Sequence, residues 1–373
     1  MAKPMMEAVE RLPRLMKSAR VAVKEVLALK EGERVLIVTN PEHEVFPIAG
    51  SLYYAAEEAG AKPVLMVQAI KSQTDFAEDA VLEAIASGPD VVLSISANKL
   101  GKDPHHMKRP LKARGKKYDH IFNYLLDTKK IRSFWSPSIT QDMFIRTVPI
   151  NYRELRSTAS RLKKVLDRGE SVHITTDRGT DIRIGIQGRA AKSDDGDFTK
   201  PGTGGNIPCG EVFISPALGA SEGTIVFDGS IASDRGVIVI EEPITVKVKD
   251  GFVKSITGGK EARKLREVLK RAERNIHSMV SSRSISSRMG KEYMSNLRNL
   301  GELGIGLNPK ARIVGNILED EKAFNTCHIA IGSNYDQDAR TVIHLDGIIM
   351  KPTLTVQTKT REVEIMKNGK LLV

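Results

Sequence analysis

The chain has 373 residues, a formal net charge of +11 and two cysteines, Cys209 and Cys327. That length exceeds the needs of one small core and predicts two domains, each able to bury its own interior, while two cysteines exclude a disulfide framework. No apolar run approaches the length of a bilayer span, and Met1-Ala-Lys-Pro4 opens a charged amphipathic segment in place of an apolar signal region, so a cytoplasmic protein without a membrane partner is expected.

Apolar positions at helical spacing from Pro13 to Leu29 predict a leading helix. Buried strands are expected at 34–39, 63–68 and 90–95, alternating with helices at 45–58 and 76–86, an order that builds a parallel sheet covered by helices. The turn after the first strand, Thr39-Asn-Pro-Glu-His43, has no glycine to let a pyrophosphate approach the backbone, so no dinucleotide is expected. The stretch from His105 to Lys117 carries six Lys and Arg with no acid. It also lacks an aromatic side chain to stack on bases, and it is read as a solvent-facing loop with no nucleic-acid partner. A helix at 152–166 closes a first domain, 1–167.

From 168 to 373 the pattern changes to short alternating segments, at 171–176, 181–186, 224–227, 236–240 and 244–248, with a hairpin signal at Asp250-Gly251 and helices at 261–272 and 293–300. The expected fold class is therefore α/β: an N-terminal Rossmann-like parallel-sheet domain followed by a mixed α+β, largely antiparallel domain.

Thr326 to Asp346 holds the densest set of chemically active side chains. In a strand, His344 and Asp346 project from one face, and the turn-rich 332–338 segment could fold the strand bearing His328 back beside them. Imidazole nitrogen and carboxylate oxygen are ligands for zinc, cobalt, manganese and ferrous iron. Upstream, Glu211 stands where a Pro208–Gly210 turn enters an apolar segment, and Glu302 lies among glycines. Glu321 sits in Leu318-Glu-Asp-Glu-Lys322, which reads equally as a solvated charge cluster.

The ordered motifs GTDIRIGI, NIPCGEVF, GFVKSITGG, ELGIGLNP, DEKAFNTCHIAIGSNY and HLD resemble the metallo-aminopeptidases of the aminopeptidase T type. The resemblance implies a homodimeric exopeptidase acting on peptides, in which Glu211, Glu302, His328, His344 and Asp346 hold two divalent ions (Zn, Co, Mn or Mg), with Tyr335 beside them. Three carboxylates forced together repel one another, and two divalent cations would reverse that sign. Metal-bound water would attack the first peptide carbonyl, with Glu321 as the base, since the remaining carboxylates are committed to metal, and Tyr335 as a donor to the oxyanion. The same superfamily includes ring-cleaving dioxygenases that use one ferrous ion, and His328, His344 and Asp346 would serve equally there as the two-His, one-carboxylate set.

Overall fold

The computed structural model describes residues 2–72, 75, 77–100, 111–113, 115–118 and 121–373. Residues 105–110 and Arg114 of the basic stretch lie outside them, as does position 76 at the start of an expected helix; Leu111–Ala113 and Lys116–Tyr118 pair as a short antiparallel hairpin. The chain divides into two compact units, Met1–Arg156 with Asp194–Cys209, and Ser157–Ser193 with Gly210–Val373.

The first unit is built on a five-stranded parallel sheet in the order Gly204–Asn206, Arg132–Pro137, Val91–Ser96, Arg34–Thr39, Lys62–Val67. Two of its three inner strands are buried almost throughout, which is why RVLIVT and VVLSIS are nearly continuous apolar runs. Leu36, Val38 and Val92 pack with Val81 and Ile85 of the helix Asp79–Ala86 and with Ile121 and Leu125 of Ile121–Asp127. The helix Val45–Glu58 buries Ile48, Leu52 and Ala55, positions spaced by four and three that form one apolar stripe.

The second unit holds an eight-stranded antiparallel sheet running in the order 252–257, 244–249, 221–227, 181–185, 169–175, 353–358, 362–367, 370–371. The helix Lys260–Ser281, nine residues longer at its C-terminal end than expected, buries Leu265, Val268, Leu269, Ala272, Ile276 and Met279 at helical spacing. The helix expected at 293–300 instead spans Ser287–Asn296, capped by Ser286, whose hydroxyl accepts from the Met289 N–H at 3.1 Å; Leu300 already belongs to a strand. Six of the seven strands of a further sheet run Gly236–Val239, Ser230–Ser233, His344–Met350, Thr326–Gly332, Leu300–Gly306, Glu211–Ile214. The parallel sheet followed by antiparallel ones is the expected class. Among the described residues, no helix is long and apolar enough to cross a membrane.

Candidate metal centre

Four adjacent strands of that last sheet carry most of the candidate residues, and the register explains how they meet. Ala330 lies opposite Asp346 on one side and opposite Glu302 on the other; Gly332 lies opposite His344, Gly304 opposite His328, and Gly306 opposite Glu211. Directly opposed residues share a face, so Glu211, Glu302, His328, His344 and Asp346 all project to the same side. Apart from Ile348, opposite His328 on its other side, their partners across the ladders are Gly or Ala, which leaves space above the sheet to the large polar heads.

Two local features make this possible. The ladder slips between Leu300 and Glu302, a bulge that places Glu302 on the face which Leu300 does not use. At Gly304, an added Cβ would stand 2.0 Å from His328 Nε2, so the fully buried imidazole lies directly over the glycine.

His344 Nδ1 donates to the Ser333 carbonyl at 2.8 Å, which fixes the ring and turns Nε2 inward. That nitrogen lies 3.1 Å from Glu302 Oε2 and 3.1 Å from Asp346 Oδ1. His328 Nε2 lies 3.3 Å from Glu302 Oε1 and 3.5 Å from Glu211 Oε2. Glu302 thus bridges the two imidazoles.

The site's charges respond to this crowding. Burial opposes ionisation of Glu302, yet hydrogen bonding with both histidines outweighs it and lowers its pKa. Asp346 is likewise buried and is held well below the carboxylate range by His344 and His328. Burial alone would discharge His328, but Glu302 and Glu211 raise it to about 9, and Asp346 and Glu302 raise His344 as well. Without a metal, protons on the imidazoles are the counter-charge.

Glu321 and Lys322 arrive from a separate loop. Asn316 caps the short helix Ile317–Asp320, and Asp320 accepts from Ser230 Oγ at 2.6 Å and from the Val314 and Gly315 N–H groups at 2.8 and 3.2 Å. Glu319 accepts from the Arg312 N–H at 2.7 Å. Glu319, Asp320 and Lys322 are completely buried, so Leu318-Glu-Asp-Glu-Lys322 is a packed corner and not a solvated charge cluster. Lys322 Nζ lies 2.7 Å from Glu211 Oε1 and pairs also with Glu321. Burial pushes Glu321 up to about 8 although Lys322 pulls the other way.

Two triplets each bring ligand atoms within 4.8 Å of one another: Glu302, His344 and Asp346; and Glu211, Glu321 and His328. Glu211 Oε2 is buried without a hydrogen bond. Electron-rich atoms left unsatisfied in the interior are costly unless a cation meets them, so this donor set fits a metal. Tyr335 is not buried with the ligands. It is 52% exposed at the edge of the cluster, its ring 5.3 Å from that of His344 and 5.0 Å from that of Phe213. Its loop is tied down by Arg189 and Lys192, which pair with Asp336.

The six acidic and imidazole residues expected from sequence therefore converge. Three contributors were missed: Lys322, Gly304 and the Ser333 carbonyl. A lysine beside three acids gives no sign of burial, but a glycine opposite a histidine is a signal once the two strands are aligned.

The family model described as NicX, 2,5-dihydroxypyridine 5,6-dioxygenase, matches residues 139–330, more than half of the chain. A 2,5-dihydroxypyridine 5,6-dioxygenase of Pseudomonas putida is 27% identical over 135 residues, 35% of this chain, and the match spans only 36% of that relative's length. Among solved structures, the 2,5-dihydroxypyridine dioxygenase from Pseudomonas putida aligns with a TM-score of 0.71 at 17% identity, over 96% of this chain and 97% of that one. AmpT from Thermus thermophilus aligns with a TM-score of 0.65 at 18% identity, over 97% and 99%. These two likenesses establish a shared fold. The family match and the curated relative overturn the expectation of an aminopeptidase, a hydrolase of peptides. The charge count that favoured two divalent ions left out the Lys322 ammonium. A buried donor set that could bind metal stands; a two-metal site does not follow from it.

Proposed function

The chain belongs to the NicX family, 2,5-dihydroxypyridine 5,6-dioxygenase, and from that premise we propose that it is an oxidoreductase which opens a dihydroxylated, pyridine-like aromatic ring with dioxygen. The observation that carries this reading beyond family membership is that two imidazoles and a carboxylate, His328, His344 and Asp346, project from one face of neighbouring strands, His344 against Asp346 and His328 joined to them through Glu302. That donor set suits one ferrous ion with positions left for oxygen and substrate. Bound there, iron would supply the one-electron chemistry that lets a closed-shell ring react with dioxygen, both oxygen atoms ending in the opened product.

The protein's part is to hold and to move protons. The Ser333 carbonyl keeps His344 in the tautomer that offers Nε2, and Gly304 gives the His328 ring its seat. Glu302 lies between the Nε2 atoms of the two imidazoles and places a carboxylate within reach of an ion held there. A ring hydroxyl must lose its proton as it binds, and we assign that proton to Glu321, a carboxyl beside the cluster whose affinity for a proton burial raises. Tyr335 and Phe213, with ring centroids 5.0 Å apart, offer aromatic surface for a flat substrate at the edge of the site.

The test is an oxygen-electrode assay of the Fe(II)-loaded protein with 2,5-dihydroxypyridine and with dihydroxylated benzenes. The reading expects one dioxygen consumed per ring and loss of the ring's ultraviolet absorbance. Absence of oxygen uptake with every dihydroxylated ring would remove it.

A further inference from the structure

Among the described residues, Lys322 is the largest charged side chain to be completely buried, and it lies among groups otherwise suited to metal. Its Nζ contacts Glu211 Oε1 at 2.7 Å and Glu321 Oε1, two of the three donors in the triplet Glu211, Glu321 and His328. In the other triplet, Glu302, His344 and Asp346, the carboxylates are met by imidazole: His344 Nε2 lies 3.1 Å from both, and His328 Nε2 lies 3.3 Å from Glu302. The imidazoles are themselves candidate ligands, whereas an ammonium bonded to two carboxylates is a cation that the protein itself supplies.

We propose that the Lys322 ammonium is a built-in substitute for a second metal ion, and that it keeps this six-donor cluster mononuclear. A second divalent ion at Glu211 and Glu321 would have to displace an ammonium already bonded to both. It would also force that ammonium, 0% exposed, to lie beside the incoming charge without those carboxylate partners. Remove the charge and the same carboxylates are left facing each other, next to an imidazole, as an open site for an oxygen-loving divalent ion. Lys322 is on this account a specificity-determining residue for metal number. The inference rests on the reading above only in taking one resident ion as the native state.

The experiment counts metal with no substrate present. Metal-free native protein, Lys322→Met, Lys322→Arg and the double variant Lys322→Met with Glu211→Gln are equilibrated with excess Mn²⁺ alone, freed of unbound ion, and analysed for manganese per chain by plasma mass spectrometry. Native protein and Lys322→Arg are expected to hold one ion, Lys322→Met two, and the double variant one again. Two ions in the native protein, or one in Lys322→Met, would overturn the proposal. Should Lys322→Met not fold without metal, its thermal unfolding is followed with rising Mn²⁺. Recovery of a cooperative transition with two bound ions supports the proposal; failure to fold at any Mn²⁺ concentration, while Lys322→Arg folds, overturns it. A protein that binds one ion and cleaves no ring would count against the dioxygenase reading and leave this one intact.

Discussion

At the scale of single residues, the site works by matching each buried charge to a partner, and each partner suggests a measurement. His328 and His344 carry protons in the metal-free protein because the surrounding carboxylates outweigh burial, His328 up to about 9. A metal must displace those protons. Metal affinity should therefore rise with pH until about 9 and fall below it, by about tenfold per pH unit for each proton displaced. Adding metal at pH 7 in weak buffer with an indicator dye should register proton release; none would contradict the assigned ligands. His344→Ala should lose both metal and oxygen uptake. Glu321→Gln should keep its metal and lose at least about tenfold in rate, about 1.4 kcal/mol of barrier, and loss of metal there would make Glu321 a ligand instead of the proton acceptor.

Some of this is legible in the sequence and some is not. The two-residue period of a strand is enough by itself to place His344 and Asp346 on one face. Lys322 is invisible there because a run of four charged residues ordinarily faces solvent, and nothing in the run reveals that backbone N–H groups and a serine satisfy Asp320 and Glu319 in the interior.

At the scale of elements, the sheet and one loop set the geometry. An alanine at Gly304 would drive its Cβ into the His328 ring, 2.0 Å from Nε2, and the fully buried ring has packed neighbours that prevent it from moving aside. Gly304→Ala is expected to weaken metal binding by about 10–100-fold, as changes that misplace a ligand do, with the antiparallel sheet retained. Isothermal titration with Mn²⁺ alongside circular dichroism separates the two effects, and unchanged affinity would show that the ring has another seat. The loop that delivers Glu321 and Lys322 hangs on Asp320. Asp320→Ala leaves the Ser230 hydroxyl and two backbone N–H groups without this acceptor, and should cost on the order of 2–3 kcal/mol in urea unfolding. A loss under about 0.5 kcal/mol would mean that the loop is held elsewhere. The bulge at Glu302 is not readable from sequence, since it is a mismatch between two strands and neither strand alone encodes it.

At the scale of the whole molecule, the alternation of apolar strands and amphipathic helices announces the parallel sheet, because a strand covered on both faces must be apolar throughout. Its last strand carries no such signal. Gly204–Asn206 has no apolar side chain larger than hydrogen and joins the sheet through backbone pairing with Arg132–Pro137, and Asp194–Cys209 returns to the first unit after the chain has entered the second. Function is legible in the sequence to the level of a donor set that could hold metal. The choice between hydrolysis and oxygenation turns on the fate of the extra carboxylates, and a buried ammonium that satisfies two of them takes away the electrostatic case for a second ion. The activity proposed above is insertion of dioxygen into a dihydroxylated ring. The most direct measurement is the mass of the product formed by the Fe(II)-loaded protein from 2,5-dihydroxypyridine under ¹⁸O₂. The account expects a ring-opened product carrying both labelled atoms; a product with none or only one that does not arise from exchange with water, or no product at all, would contradict it.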